Sequence, residues 1–288
     1  MHGIIAAVPT PVTAQGRPSK AAFLEHARWA LANGCDGVNI LGSTGEANSF
    51  DSATRREIMA MAANGLDRSR LMVGTGTPSL AETIALTRHA DDLGYPVALV
   101  LPPYYYTPPS DEGLIAWYLA LDAALADRPI RVWFYNFPQM TGFVISASVI
   151  EHLHALAPHR FDGIKDSSGD LDYCRRLATS LRNLRVFPSS ETSLAEGRAA
   201  GFAGYISATA NLTAPICARV WAGETHLAGH LADLRSAVSA HPLIPAVKHL
   251  VARRTGNSDW QNVLPPFTRL GSAEARILDR LTSEVLAA

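Results

Sequence analysis

Short apolar runs alternate with longer amphipathic stretches along most of the chain. Residues 4–8, 38–41, 71–74, 97–101, 130–135, 162–165, 184–187 and 204–207 have the length and the β-branched or aromatic content of buried strands. Between them, residues 20–33, 52–66, 79–93, 112–126, 147–157, 171–181 and 192–200 repeat apolar positions at spacings of three and four, the period of a one-sided helix. Ser19, Ser52, Ser79, Ser110 and Ser146 stand where N-caps belong. Gly34, Gly94 and Gly201 stand where helices stop.

Eight strands alternating with helices predict a parallel (β/α)8 TIM barrel over residues 1–212. Residues 213–288, punctuated by Pro215, Pro242, Pro245, Pro265 and Pro266, read as a C-terminal helical extension packed on the barrel, one structural domain overall. A doubly wound sheet is the competing fold. It would carry a glycine-rich dinucleotide loop after its first strand, where this chain has Val8-Pro9-Thr10-Pro11.

Composition narrows the function classes. With 48% hydrophobic residues in 288, the chain can bury a large core. A formal net charge of −1 argues against a nucleic-acid or anionic-membrane partner. Cys35, Cys174 and Cys217 are widely spaced and odd in number, as expected of free thiols and not of a disulfide or zinc framework. His152 and His154 lie inside a helical stretch and not after a strand, and His226 and His230 share a helix face without an acidic partner in a metal-like pattern, so no metal site is expected. The first residues lack a basic segment leading into an apolar run, and no 18-residue uncharged apolar stretch occurs, so a cytoplasmic enzyme is expected.

In such a barrel the chemistry gathers where strands end. After strand two comes Leu41-Gly42-Ser43-Thr44-Gly45-Glu46, whose two glycines let backbone N–H groups turn outward toward a carboxylate; the same residues also make an ordinary tight turn. After strand four, Tyr104-Tyr105-Tyr106 lies between proline pairs, a stiff aromatic loop equally suited to packing, a subunit surface or a neighbouring site. Strand five ends in Tyr135, a phenol able to donate and accept protons or simply to pack. Strand six ends in Lys165. Only three of the 25 basic residues are lysines: Lys20, Lys165 and Lys248. A lysine can lose its proton and become a nucleophile, whereas arginine cannot. The competing reading pairs Lys165 with Asp166 or Asp170.

These motifs, in this order, resemble the dihydrodipicolinate synthase/N-acetylneuraminate lyase superfamily of Schiff-base pyruvate aldolases and lyases. The resemblance runs nearly end to end, through Pro9-Thr10-Pro11, residues 42–46, Pro103-Tyr104-Tyr105, Tyr135-Asn136-Phe137-Pro138, residues 163–170 and Ile206-Ser207-Ala208-Thr209-Ala210-Asn211. It implies that Lys165 forms the imine with a 2-oxo acid such as pyruvate, without another cofactor. Tyr135 would act as general acid and base, and Ser43 and Thr44 would hold the oxo-acid carboxylate. Tyr105 would complete a proton relay in a neighbouring subunit of a homotetramer, and Ile206 would line the pyruvate pocket.

One departure separates the subfamilies. Dihydrodipicolinate synthases carry an arginine for the aldehyde's carboxylate where this chain has Met140, which offers no charge. The sialic acid lyases and 2-keto-3-deoxygluconate aldolases are more similar here. Glu191 falls where the resemblance places a carboxylate for substrate hydroxyls, and Thr141, Ser167 and Thr209 add candidate donors and acceptors. The expected reaction is cleavage or formation of a 2-keto-3-deoxy sugar acid, or a related hydroxylated 2-oxo acid, with an aldehyde as the other partner. Dehydratase chemistry through the same imine, 4-hydroxy-tetrahydrodipicolinate synthesis from pyruvate and aspartate semialdehyde, and a non-catalytic 2-oxo-acid-binding role are the alternatives.

Overall fold

The computed structural model describes residues 1–283. Eight parallel strands form its centre: β1 (Gly3–Ala7), β2 (Gly37–Ile40), β3 (Leu71–Gly74), β4 (Val97–Val100), β5 (Arg131–Asn136), β6 (Gly163–Asp166), β7 (Arg185–Pro188) and β8 (Gly204–Ser207). Neighbours pair in sequence order and β1 pairs with β8, giving the order β7-β6-β5-β4-β3-β2-β1-β8. Where β7 meets β8, the Ala203 N–H donates to the Val186 carbonyl at 3.0 Å. The result is a (β/α)8 barrel, as the alternation predicts. The helices are α1 (Lys20–Ala32), α2 (Ser52–Gly65), α3 (Leu80–Asp92), α4 (Asp111–Leu125), the single turn α5 (Pro138–Thr141), α6 (Ala147–Leu156), α7 (Leu171–Ser180), α8 (Ala210–Ala222), α9 (Ala228–Ser239), α10 (Leu243–Thr255) and α11 (Ser272–Leu281).

Alternation along each strand builds two cores. Ile4, Ala6, Val38, Val73, Ala98, Phe134, Ile164, Val186 and Tyr205 face outward and pack against the helices. Ile5, Ala7, Met72, Leu99, Trp133, Tyr135, Phe187 and Ile206 face inward and fill the barrel. Trp133 and Phe187 stack at 5.0 Å, and the Trp133 indole N–H donates to Asp162 at 2.7 Å. Gly163 makes this layer possible, because a Cβ there would lie 2.5 Å from the indole. Since Tyr135 follows Trp133 by two residues on the same strand face, the stacked rings are an apolar floor beneath the mouth.

Several local expectations shift. Ser79, Ser110 and Ser146 cap their helices with their side chains, accepting from Glu82, Gly113 and Val149 N–H groups. Ser52 is instead the first residue of α2, capped by Asp51, whose carboxylate accepts from Thr54 N–H at 2.7 Å. Ser19 makes no side-chain cap and donates to Asp259. The helix expected over residues 192–200 is a 3-10 turn, Glu191–Glu196. Its buried residues, Glu191 and Leu194, are three apart, the period of a 3-10 turn, and just after it a Cβ at Gly197 would lie 2.7 Å from the Tyr205 ring and 2.9 Å from that of Trp221. The division drawn between residues 212 and 213 falls inside α8, the barrel's last helix. The C-terminal helices α9 to α11 follow it, and residues 284–288 of the predicted extension lie outside the described residues. Among the described residues no helix is long and apolar enough to cross a membrane.

His26 ties the barrel to the C-terminal helices. Its ring, fully buried on α1, donates from Nε2 to Asn211 Oδ1 of α8 at 2.8 Å and accepts at Nδ1 from Arg254 of α10 at 2.7 Å. Burial lowers its pKa to about 3, despite the Asn211 hydrogen bond; Arg254 adds to the depression. The unfolded state therefore takes up a proton below pH 6.5 that the folded state refuses. This contribution is complete above pH 6.5 and is lost as pH falls toward 3, at up to about 1.4 kcal/mol per pH unit. Thermal midpoints measured from pH 7 to 4 should fall more steeply for the native protein than for His26→Gln.

Candidate active site

The C-terminal ends of β2, β5, β6 and β8 converge on a cavity of about 280 Å3. Tyr135 and Lys165 are register partners on β5 and β6, so both side chains enter the barrel at the same height. Lys165 is 4% exposed and Tyr135 3%. The Lys165 amine donates to the Tyr135 hydroxyl at 3.2 Å and lies 4.4 Å from its ring centroid. The Tyr135 hydroxyl is in turn 3.2 Å from Ser43 Oγ. An amine, a phenol and an alcohol thus form one chain of exchangeable protons.

Neither neighbouring aspartate pairs with the lysine. Asp166 accepts from Asn136 Nδ2 at 2.6 Å and from the Ser168 hydroxyl at 2.7 Å and N–H at 3.0 Å, and burial raises its pKa against those bonds. Asn136 also accepts the Ile145 N–H at 3.0 Å, so Asp166 and Asn136 brace the loops after β5 and β6. Asp170 caps α7, accepting the Tyr173 N–H at 2.8 Å. Among the described residues, Tyr135 is the only hydrogen-bond partner of the Lys165 amine.

The loop carrying Ser43 and Thr44 is held in an unusual conformation. Leu41 and Glu46, at its two ends, have φ of 51° and 56°, values that disfavour side chains, so the strain flanks Ser43 and Thr44. Gly74 lets the loop cross β3, because a Cβ there would lie 2.0 Å from the Leu41 carbonyl. At the far end Glu46, 3% exposed, accepts from Lys248 of α10 and from the Leu264 N–H at 2.7 Å.

The other sequence candidates divide. Thr44, Ser167, Ile206 and Met140 line the same cavity as Lys165. Met140 is 64% exposed, at the rim. Thr141 is buried, and its hydroxyl donates to the Phe137 and Phe143 carbonyls, so it is committed to its own turn. Glu191 and Thr209 are buried behind the wall and bonded to each other. Tyr105 is 76% exposed and is not among the residues lining the cavity of its own chain.

Sequence reasoning missed Arg235. On α9 it lines the cavity, its Nη1 donating to Glu191 Oε2 at 3.1 Å, Ser207 Oγ at 3.0 Å, Thr209 Oγ1 at 3.1 Å and the Ser189 carbonyl at 3.3 Å. The signal was in its spacing. Arg235 sits four residues after Leu231 and three before Val238, a charge placed in a buried apolar stripe. Pro242, Leu243, Ile244 and Phe267 complete an apolar wall, so the C-terminal segment closes one side of the mouth.

Residues 1–282 match the dihydrodipicolinate synthetase family. An uncharacterised DapA-like lyase of Chloroflexus aurantiacus is 37% identical over 241 residues, 83% of this chain and 80% of that protein. A 4-hydroxy-tetrahydrodipicolinate synthase of Rhodospirillum centenum is 33% identical over 224 residues, 76% of this chain and 74% of that one. The crystal structure of dihydrodipicolinate synthase from Agrobacterium tumefaciens superposes with a TM-score of 0.92, at 30% identity over 99% of both chains. With its sequence matched almost end to end and its barrel superposing on theirs, the chain belongs to the dihydrodipicolinate synthetase family and is a lyase.

Proposed function

We propose that the protein is a Schiff-base-forming, pyruvate-dependent lyase that cleaves or forms a 2-keto-3-deoxy sugar acid or a related hydroxylated 2-oxo acid. The observation that carries this is the buried Lys165 amine, with no carboxylate partner among the described residues, in hydrogen-bond contact with the Tyr135–Ser43 pair. Lys165, as the neutral amine, attacks the C2 ketone, and loss of water leaves a protonated imine. In the cleavage direction Tyr135 takes the C4 hydroxyl proton as its own passes to Ser43 and the Ser43 hydroxyl proton moves on along the relay, which later returns one proton to C3. The C3–C4 bonding pair moves into the iminium, giving an aldehyde and the enamine of pyruvate. Protonation at C3 and addition of water free pyruvate and restore the amine. The imine is itself the electron sink, so the reaction calls for no cofactor.

Ser43 and Thr44 are assigned to the oxo-acid carboxylate, and Ile206 to the wall beside its methyl carbon. A homotetramer in which Tyr105 extends the relay into a neighbouring subunit agrees with the exposure of that ring. Borohydride in the presence of pyruvate should fix a three-carbon adduct on Lys165; an unlabelled Lys165 would refute the assignment. Tyr135→Phe keeps the ring but removes the proton carrier, and kcat for pyruvate release should fall about 100- to 10,000-fold, a size expected for loss of a general acid–base.

A second reading, 4-hydroxy-tetrahydrodipicolinate synthesis, draws on Arg235, which supplies in this cavity a cation that Met140 does not. Efficient condensation of pyruvate with aspartate semialdehyde would select it over the sugar-acid reading.

A further inference from the structure

We propose that Arg235 is a specificity-determining residue that receives a second carboxylate, so that the substrate of this site is a 2-oxo diacid. The inference rests on the imine reading above and adds the chemistry of the distal end. Two basic side chains, Lys165 and Arg235, line the cavity, and no aspartate or glutamate does among its described lining residues. Ser43 and Thr44, at the end of β2, are assigned to the carboxylate beside the ketone. Arg235 stands over the ends of β7 and β8, bonded to Ser189, Ser207 and Thr209, and so on another side of the mouth.

The way Arg235 is held also points to a ligand. Glu191, its buried counter-ion, is 2% exposed and does not reach the cavity; it accepts from Thr209, and from Thr213 at 3.4 Å. Every hydrogen bond of the guanidinium to described residues runs through Nη1. Nη2 and Nε have no such partner, and neither is sealed inside the protein. Glu191 therefore holds the guanidinium through Nη1, and Nη2 and Nε, the two parallel donors of a rigid fork, remain available on a side chain that lines the cavity. A carboxylate matches that fork with two parallel, charge-assisted bonds to two oxygens; a hydroxymethyl group offers a single uncharged oxygen. The rest of that wall, Pro242, Leu243, Ile244 and Phe267, is apolar, which strengthens a charge pair formed against it.

Imine formation needs neither the right aldehyde nor the right stereochemistry, so borohydride trapping provides the test. The native full-length protein is titrated with pyruvate, with 2-oxoglutarate, and with 2-oxopentanoate, which has the same chain length but a methyl end; intact mass reports the labelled fraction. The diacid should reach half-labelling at a concentration at least about 10-fold below that of 2-oxopentanoate. Arg235→Lys should narrow that ratio. Arg235→Gln combined with Glu191→Gln, which leaves no unpaired buried charge, should bring it close to one, with the thermal midpoint reporting that the double variant is folded. Equal labelling by the two acids in the native protein overturns the proposal, as does a preference that survives the double variant. Failure of pyruvate itself to label Lys165 is a different result and removes the imine reading.

Discussion

Lys165→Ala should lose borohydride trapping at this position entirely, and pyruvate-releasing turnover should fall by at least about 10,000-fold, the scale seen when a covalent nucleophile is removed. No other amine in the chain can take its place. Lys20 is exposed at the start of α1, and Lys248 is fully buried against Glu46. The Met1 amine is the chemical competitor, since burial and the Arg185 and Arg131 charges lower its pKa. Yet Arg131 and Arg185 begin β5 and β7, so Met1 sits at the opposite end of the barrel from Lys165. Peptide mapping of the reduced adduct separates the two: label at Met1 would survive Lys165→Ala, and label at Lys165 would not. Lys165→Arg is the companion variant. Its guanidinium is permanently charged and cannot lose a proton, so it should be as inactive as the alanine. Appreciable turnover in either would remove Lys165 from the chemistry.

What the sequence made legible was the part of the site carried on short, regular elements. Lys165 and Tyr135 were readable because strand alternation decides which way a side chain faces, and each ends an apolar run. Strand limits came within one or two residues for the same reason. Ser43 and Thr44 were marked by their flanking glycines, although the left-handed Leu41 and Glu46, which fix the loop's path, give no sign in composition. Contacts between distant segments were not legible. Thr141 and Thr209 look like free hydroxyls in the sequence, but one is consumed by its own turn and the other by Glu191. Glu191 looked like a substrate-binding carboxylate, and in the fold its partner is an arginine 44 positions away. Hydrogen-bond competition of this kind depends on which helices follow the barrel and how they cross its mouth. Local pattern does not encode that crossing, and Arg235, although its place in the apolar stripe of α9 was visible, could be given no role without it.

The same crossing makes Lys248 a residue whose loss should cost the fold heavily. It is fully buried on α10, bonded to Glu46 and to the Asn262 carbonyl at 2.8 Å. Burial lowers its pKa and the Glu46 carboxylate opposes that shift, so the ion pair offsets a desolvation cost that neither group could bear alone. Lys248→Ala strands a carboxylate in the interior and should destabilise the protein by about 3–5 kcal/mol. For a chain of this length that corresponds to a thermal midpoint lower by roughly 10 °C. Lys248→Met with Glu46→Gln removes both charges while keeping an acceptor for the Leu264 N–H, and should recover most of the loss. Catalysis should respond as well. Glu46 ends the loop that presents Ser43 and Thr44, so the single variant should need more pyruvate for half-labelling of Lys165, and the double variant less. If Lys248→Ala unfolds within a degree or two of the native protein and labels at the same pyruvate concentration, the pair does not anchor that loop.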